Sequence, residues 1–443
     1  IRGRRSLSLV LTPEEVCAEV LERITPKQGE RARILRLAED LRRRVEEAAK
    51  EGGIEAEARV EGSVAKDTWL RGEPDIDIFL RLPPTLGRED LGVVGLKIAR
   101  RATLGFKQVE RFAEHPYLEC FVDGVRVNIV PCYRVERGLW LSATDRTPFH
   151  TDYVKPLLNE RLVGEIRLLK RFMKGIGVYG AEIRIGGFSG YLCELLILQY
   201  GSFMGNLKSA ADWRGQEIID YEDHYKGRKA ELRKVFGGDP LIVIDPVDKG
   251  RNVAAAVREE RLNEFIAAAR AFLEKPSLSF FYPSPVETFK ADQLVNVIRA
   301  RGSALLFLRF GSVGAVPDVL WGQLYRTQKS LGKMLQRFDF KILRDAVWSN
   351  EEDINVFVFE LETRLLPPIR RHLGPPLEKR VECKKFLRKH LGVESTVSGP
   401  RVEGNRWVVE TRRKYFDAVE FLKEELRDGG RSVGVADLLS QTI

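Results

Sequence analysis

The chain has 443 residues, 44% apolar and 31% charged, with 73 Lys and Arg against 64 Asp and Glu for a formal charge of +9. That mixture is too apolar for a disordered chain and long enough for two to four domains, and no run approaches the ~18 apolar residues of a membrane span. The five cysteines, Cys17, Cys120, Cys132, Cys193 and Cys383, form no CxxC pair, which argues against a disulfide scaffold or zinc module and fits a reducing cytoplasm. The basic excess suggests a polyanionic partner. Charge rich in Arg and Glu leans toward a thermophilic source. The opening "IRGRRSLSLV" has no initiator Met and is too short and interrupted for a secretory signal, which leaves a processed or trimmed start open.

In chain order, "LTPEEVCAEVL" predicts a helix, with Thr12 as N-cap, Pro13 at the first position and Glu15 closing a capping box. A second helix follows, with an apolar stripe of Ile34, Leu37, Leu41, Val45 and Ala48 and a stop at Gly52-Gly53. In "IEAEARVE" the period changes to two, which predicts a half-buried strand. Gly62-Ser63 then turns the chain into a short helical piece through Trp69. The strand "DIDIFLRL" comes next, with Ile76, Ile78 and Leu80 on one side and Asp75 and Asp77 on the other. After a helix near "LGVVGLKIARRA", "YLECFVDG" and "VRVNIVPCY" read as a hairpin turned at Asp123-Gly124. From about Thr151 to Leu273 the pattern is mainly helical, and "EKPSLSFFYPSPVE" reads as a boundary. A strand-helix-strand-strand order follows through "SALLFLRF", "DVLWGQLYRTQKSLGKML", "FKILRDAVW" and "INVFVFELE", compatible with a small split βαβ sheet. From "PPIRRHLGPP" onward the chain reads as basic and helical, with one strand at "RWVVETRR".

The chemistry concentrates in "VEGSVAKDTWLRGEPDIDIFL". Apolar strands do not bury carboxylates without compensation. A Gly-Ser turn at a helix start can set backbone N–H groups and a hydroxyl against a triphosphate. Two carboxylates at i and i+2 on one strand face can hold hard divalent cations such as Mg²⁺, and a two-metal site stabilises both the attacking and the leaving oxygens. A bare D-x-D is more often a pair of surface acids. The turn and both strand patterns, standing in this order, reverse that expectation.

The arrangement resembles the nucleotidyltransferase core of the DNA polymerase beta superfamily. Longer stretches are similar to the archaeal, class I CCA-adding enzymes (tRNA nucleotidyltransferases): "GSVAKDTW", "DIDIFL", "AEHPY", "VNIVPCY", "DRTPFH", "RLLKRFMKGIGVYGAEIRIGGFSGYLCELLI", "DPVDKGRNVAA", "PSLSFFYP" and "KKFLRKH" with "GNRWVVE". The resemblance implies an α+β multidomain chain: a polymerase-beta-like head over 1–150, a helical neck over 151–275, an RRM-like (split βαβ) body over 276–365 and a basic C-terminal tail over 366–443. It implies addition of C, C and A to the 3′ end of tRNA from CTP and ATP, with Mg²⁺ as cofactor, in a cytoplasmic homodimer with no membrane partner. On matching positions, Gly62 and Ser63 would hold the β- and γ-phosphates with Lys66 nearby, and Asp75 and Asp77 would be the metal ligands. Thr147, His150, Lys170 and Tyr179 would line the triphosphate and ribose pocket. Arg251, with Asp245 close in sequence, would reach the incoming base, a task that suits a planar fork of donors. The alternatives are another template-independent RNA nucleotidyltransferase, such as a poly(A) polymerase, or a tRNA-binding relative without catalysis.

One position departs from the family pattern. Asn128 stands where the resemblance calls for a third aspartate. An amide oxygen ligates a cation weakly, brings no charge and cannot accept the proton of a 3′-hydroxyl. Asp123, in the hairpin turn, is a poor replacement. An impaired rate is therefore expected. The chain also stops sooner after "RRKYFDAVEFLKEELRDGGRSVG" than the resemblance leads one to expect.

Overall fold

Thr12 opens the first helix as its sequence predicts: its hydroxyl accepts from the Glu15 N–H while the Glu15 carboxylate accepts from the Thr12 N–H. The computed structural model describes residues 12–112, 114–427 and 429–439, so the opening stretch read above lies outside the described residues. The chain divides into two units, with the division between Pro285 and Val286.

The first unit runs α1 (Pro13–Ile24), α2 (Gln28–Glu51), β1 (Glu57–Glu61), α3 (Gly62–Ala65), β2 (Asp75–Leu82), α4 (Arg88–Ala102), β3 (Lys107–Phe112), β4 (Pro116–Val122) and β5 (Val125–Tyr133). It continues with α5 (Thr147–Val154), α6 (Glu160–Gly175), α7 (Gly190–Tyr200), α8 (Phe203–Ala211), β6 (Glu217–Ile219), α9 (Lys229–Val235), β7 (Leu241–Val243) and α10 (Glu259–Glu274). β1 to β5 form one sheet in the order β1-β2-β5-β4-β3, with β2 parallel to β5 and the other neighbours antiparallel.

Alternation along these strands sorts the sheet into two faces. Ile76, Ile78, Leu80, Val127, Ile129 and Leu118 are buried on one face in a core shared with Leu41 and Val45 of α2 and Leu96 and Ala99 of α4. Asp75, Asp77, Arg126 and Asn128 lie on the other face. The helical half of the unit packs α1, α6, α7, α8 and α10 around an aromatic core of Phe172, Phe188, Phe203, Phe265, Phe272 and Phe281. Two readings change here. The helical piece after Gly62 ends at Ala65 rather than Trp69, and the mainly helical stretch also contains the short parallel pair β6-β7.

The second unit runs α11 (Ala291–Arg301), β8 (Ala304–Phe310), α12 (Pro317–Arg337), β9 (Ile342–Ser349), β10 (Asn355–Leu361), β11 (Ile369–Pro376), α13 (Arg380–His390), β12 (Thr396–Glu403), β13 (Arg406–Arg412) and α14 (Ala418–Leu426). β8, β10 and β9 form an antiparallel sheet in that spatial order, whose inner residues Leu306, Phe310, Phe357 and Phe359 share a core with α12 and α14. The C-terminal stretch corrects the reading of a helical segment with one strand: β13 is the centre of a three-stranded sheet, with β11 and β12 on its two sides. The flanking strands contain Pro375, Pro376 and Pro400. Proline is tolerated on edge strands, where an N–H need not be donated, so their sequences look like turns.

Candidate active site

Strand pairing builds the acidic centre. β2 lies between β1 and β5, and the register sets Asp77 opposite both Glu61 and Asn128, and Asp75 opposite Arg126. Both acids are engaged from β5. The Arg126 guanidinium grips Asp75 with Nε–Oδ1 at 2.9 Å and a terminal nitrogen 2.5 Å from Oδ2, and Asn128 Nδ2 donates to Asp77 Oδ1 at 2.9 Å. Burial pushes the Asp77 carboxyl up to about 6, against the Asn128 hydrogen bond that favours its charged form. Gly62 supplies the room for this carboxylate. Its φ is +68°, and a Cβ there would lie 2.3 Å from Asp77 Oδ2. Ser63 lies half-buried beside it.

The donor set fits a hard cation in a limited way. Two carboxylates two residues apart on one strand face suit a hard divalent cation that shares its remaining positions with water and substrate phosphates. Among the described residues no three His, Cys, Asp or Glu side chains converge as a metal cluster.

A cationic pocket adjoins the pair. Lys66 Nζ lies 2.5 Å from Glu194 Oε2, and Lys170 Nζ lies 3.3 Å from Glu194 Oε1 and 2.9 Å from the Thr68 hydroxyl. All three charged groups are buried. Burial alone would raise the Glu194 carboxyl, but the two ammonium groups outweigh it and hold it below the ordinary value; burial lowers Lys170. Two cations thus share one buried anion, leaving a positive excess where a polyphosphate would be neutralised. Tyr179 joins them at Gly190, the first residue of α7. A Cβ on Gly190 would lie 3.0 Å from the Tyr179 hydroxyl and 3.6 Å from Lys170 Nζ.

The second cluster centres on Asp245. Its carboxylate meets His150 Nε2 at 2.8 Å, an Arg251 terminal nitrogen at 2.8 Å and the Tyr191 hydroxyl at 3.2 Å. Burial opposes its charge, yet the bonds to His150 and Arg251 prevail and hold it at about 2. Tyr191 stacks on His150 with centroids 4.1 Å apart and lies 5.5 Å from Lys66 Nζ, which links the two clusters. Arg251 keeps two of its guanidinium nitrogens free of the Asp245 bond, and with Arg146, Ser189 and Ala181 it lines a cavity of about 510 Å³. Thr147 opens α5, one turn from His150.

Three regional family models match: a nucleotidyltransferase domain over 39–154, a tRNA nucleotidyltransferase second domain over 164–282 and a CCA-adding enzyme C-terminal domain over 301–441. A CCA-adding enzyme of Methanosarcina barkeri is 39% identical over 94% of this chain and 89% of its own length. One of Pyrobaculum aerophilum is 37% identical over 97% of this chain and 99% of its own.

The chain belongs to the CCA-adding enzyme family.

A third relative in this family, from Methanothermobacter thermautotrophicus, is 39% identical over 92% of this chain and 87% of its own. A solved cytoplasmic RNA terminal U-transferase superposes with TM-score 0.48 and 16% identity over 61% of this chain and 98% of its own, too distant to weigh on function. The five-stranded sheet with its helices is thus the polymerase-beta-like nucleotidyltransferase head of a mixed α/β, multidomain member of the family.

The structure brings Asp75, Asp77 and Asn128 to one face of the sheet with Gly62 and Ser63 beside Asp77, Lys66, Lys170 and Tyr179 to the cationic pocket, and His150 and Arg251 to Asp245. The sequence reading missed Arg126, Tyr191 and Glu194. Glu194 left a signal, being the lone acid in the otherwise apolar "GYLCELLILQY". Arg126 left none, because only strand register sets it on Asp75.

Proposed function

We propose that this chain adds C, C and A to the 3′ end of tRNA from CTP and ATP without a nucleic-acid template, releasing pyrophosphate. The observation that carries the reading is the meeting of the Asp75-Asp77 pair, the Gly62-Ser63 turn and the Lys66–Glu194–Lys170 cluster in one unit. The terminal 3′-hydroxyl oxygen attacks the α-phosphorus and gives up its proton to solvent water, an O–P bond forms, and the bond from that phosphorus to the bridging oxygen breaks as pyrophosphate leaves. Asp75 and Asp77 would hold Mg²⁺, which when bound neutralises charge on the reacting phosphates. Gly62, Ser63, Lys66, Lys170, Tyr179 and Thr147 bind and orient the triphosphate and ribose. His150 and Asp245 orient Arg251 toward the base, where its free N–H groups can meet acceptors on cytosine or adenine.

The same reading divides the chain into a head (1–150), neck (151–275), RRM-like body (276–365) and basic tail (366–443). The β8-α12-β9-β10 order supports the body, and Lys384, Lys385, Arg388 and Lys389 on α13 support a tail that meets tRNA. The chain works in the cytoplasm as a homodimer, to be weighed by sedimentation. Its five cysteines are all free, as that compartment requires, and no described helix is long and apolar enough to cross a membrane.

The test is nucleotide incorporation on tRNA lacking its 3′ CCA, with CTP and ATP supplied separately and together. Two additions with CTP alone, and one A only after them, are expected. Runs of A would point to a poly(A) polymerase instead. Asn128 supports one further reading, a relative that retains tRNA binding without turnover. It predicts salt-sensitive binding and no incorporation with Mg²⁺ or Mn²⁺.

A further inference from the structure

The sheet of the second unit buries one face and leaves the other open. Register places Leu305, Phe307 and Arg309 of β8, Val356, Val358 and Glu360 of β10, and Arg344, Ala346 and Trp348 of β9 on the open side. Two aromatic rings stand out on it: Phe307 is 60% exposed and Trp348 54%. Isolated apolar side chains at a surface are ordinary, but two exposed aromatics set among arginines on one sheet face are not. The strands that carry them flank β10, and the rings are offset by two residues. From strand spacing and rise their Cα atoms lie roughly 12 Å apart, too far for both rings to stack on one base and suited to two bases of an extended strand.

Charge selects the occupant. Arg301 and Arg344 both bond the Glu360 carboxylate, and Arg309 lies on the same face opposite Val356, so three arginines against one acid leave a net +2 on this face. Among the described residues β8 pairs only with β10, which makes it an edge of the sheet. A cleft of about 570 Å³ separates it from α14, lined by Leu305, Phe307, Lys423 and Arg427. A second copy docked across this face by a twofold axis would set arginines against arginines, with Glu360 as the one acid of the face already shared by Arg301 and Arg344. A polyanion with flat faces satisfies both features, because bases stack on the rings while phosphates meet the guanidinium groups.

We infer that this open face, through Phe307, Trp348 and Arg309, binds single-stranded RNA. The surface rests on the reading of the chain as an RNA-processing enzyme, but it involves none of the residues assigned to nucleotide transfer.

The test uses the full chain with a fluorescein-labelled single-stranded RNA dodecamer and an RNA duplex of equal length. Anisotropy of wild type, Phe307→Ala/Trp348→Ala and the conservative Phe307→Tyr is recorded. Stacking at two bases predicts at least a tenfold loss of dodecamer affinity in the double variant, retention in Phe307→Tyr and weaker binding of the duplex by wild type. Tryptophan emission supplies a readout that does not depend on fold loss: the dodecamer quenches wild type, and Trp348→Phe removes most of that quenching. Dodecamer affinity within twofold of wild type in the double variant overturns the inference. So does a changed sedimentation coefficient with unchanged affinity, which would mark the face as an interface between copies. Incorporation on truncated tRNA is scored separately. A chain that adds no nucleotide yet binds the dodecamer through Phe307 refutes the catalytic reading alone.

Discussion

Asn128→Asp tests the acidic centre most directly. The substitution removes the 2.9 Å donation from Asn128 Nδ2 to Asp77 Oδ1 and puts a second carboxylate in its place. Losing a hydrogen bond to a charged group costs about 1.5–3 kcal/mol. Two like charges ~4 Å apart at an effective dielectric of ~20 repel by about 4 kcal/mol. Protonation caps that repulsion below this figure: Asp77, already pushed up to about 6, binds a proton at about pH 7 for about 1.4 kcal/mol, against about 4 kcal/mol for a carboxyl of ordinary pKa. In EDTA the variant is therefore expected to melt below wild type. Added Mg²⁺ reverses the sign, because a third carboxylate completes the donor set, and incorporation on truncated tRNA should rise by about 10²-fold, the typical effect of a transition-state stabiliser. Melting curves with and without Mg²⁺, beside single-turnover incorporation, measure both effects. Equal rates for the two chains, together with equal melting in EDTA, would refute the assignment of position 128 to the reacting centre.

Three further outcomes follow from the same geometry. Gly62→Ala places a Cβ 2.3 Å from Asp77 Oδ2 at a φ of +68°; the left-handed backbone costs about 1–2 kcal/mol, and the displaced carboxylate should lower incorporation at least tenfold while far-ultraviolet circular dichroism is unchanged. Glu194→Gln leaves the Lys66 and Lys170 ammonium groups buried without a counter-charge, so urea denaturation should show a loss of about 3–5 kcal/mol. His150 is held below its ordinary value by burial and by Arg251 and Lys66, against the Asp245 bond. Its unfolded form binds a proton first, so its contribution is complete above about pH 6.5 and declines below. Wild type should accordingly lose more melting temperature than His150→Gln between about pH 7 and pH 5.5, and parallel losses would count against it.

How much of this was legible in the chain depends on the range of the interactions. The Thr12–Glu15 capping box, the α2 stripe and the alternation that sets Asp75 and Asp77 opposite Ile76 and Ile78 are local, governed by periods of 3.6 and two, and they read directly from the residues. The tail shows the local rules failing: "RWVVETR" reads as a strand because it is central in its sheet, whereas "IRRHLGPP" and "TVSGPRVE" carry the Pro and Gly of turns and become strands only by pairing with it.

The sequence by itself determined the chemistry that is available: an acid pair, a Gly-Ser turn, basic residues in recognisable stretches, and an amide where an acid is expected. Tertiary structure alone decided which of these groups hold one another. Register put Arg126 on Asp75 and Asn128 on Asp77, and packing α6 and α7 against the head buried Glu194 between two lysines from distant stretches. The physical reason is that a buried charge must find its partner across the fold, and contacts of that separation leave no periodic trace in the chain.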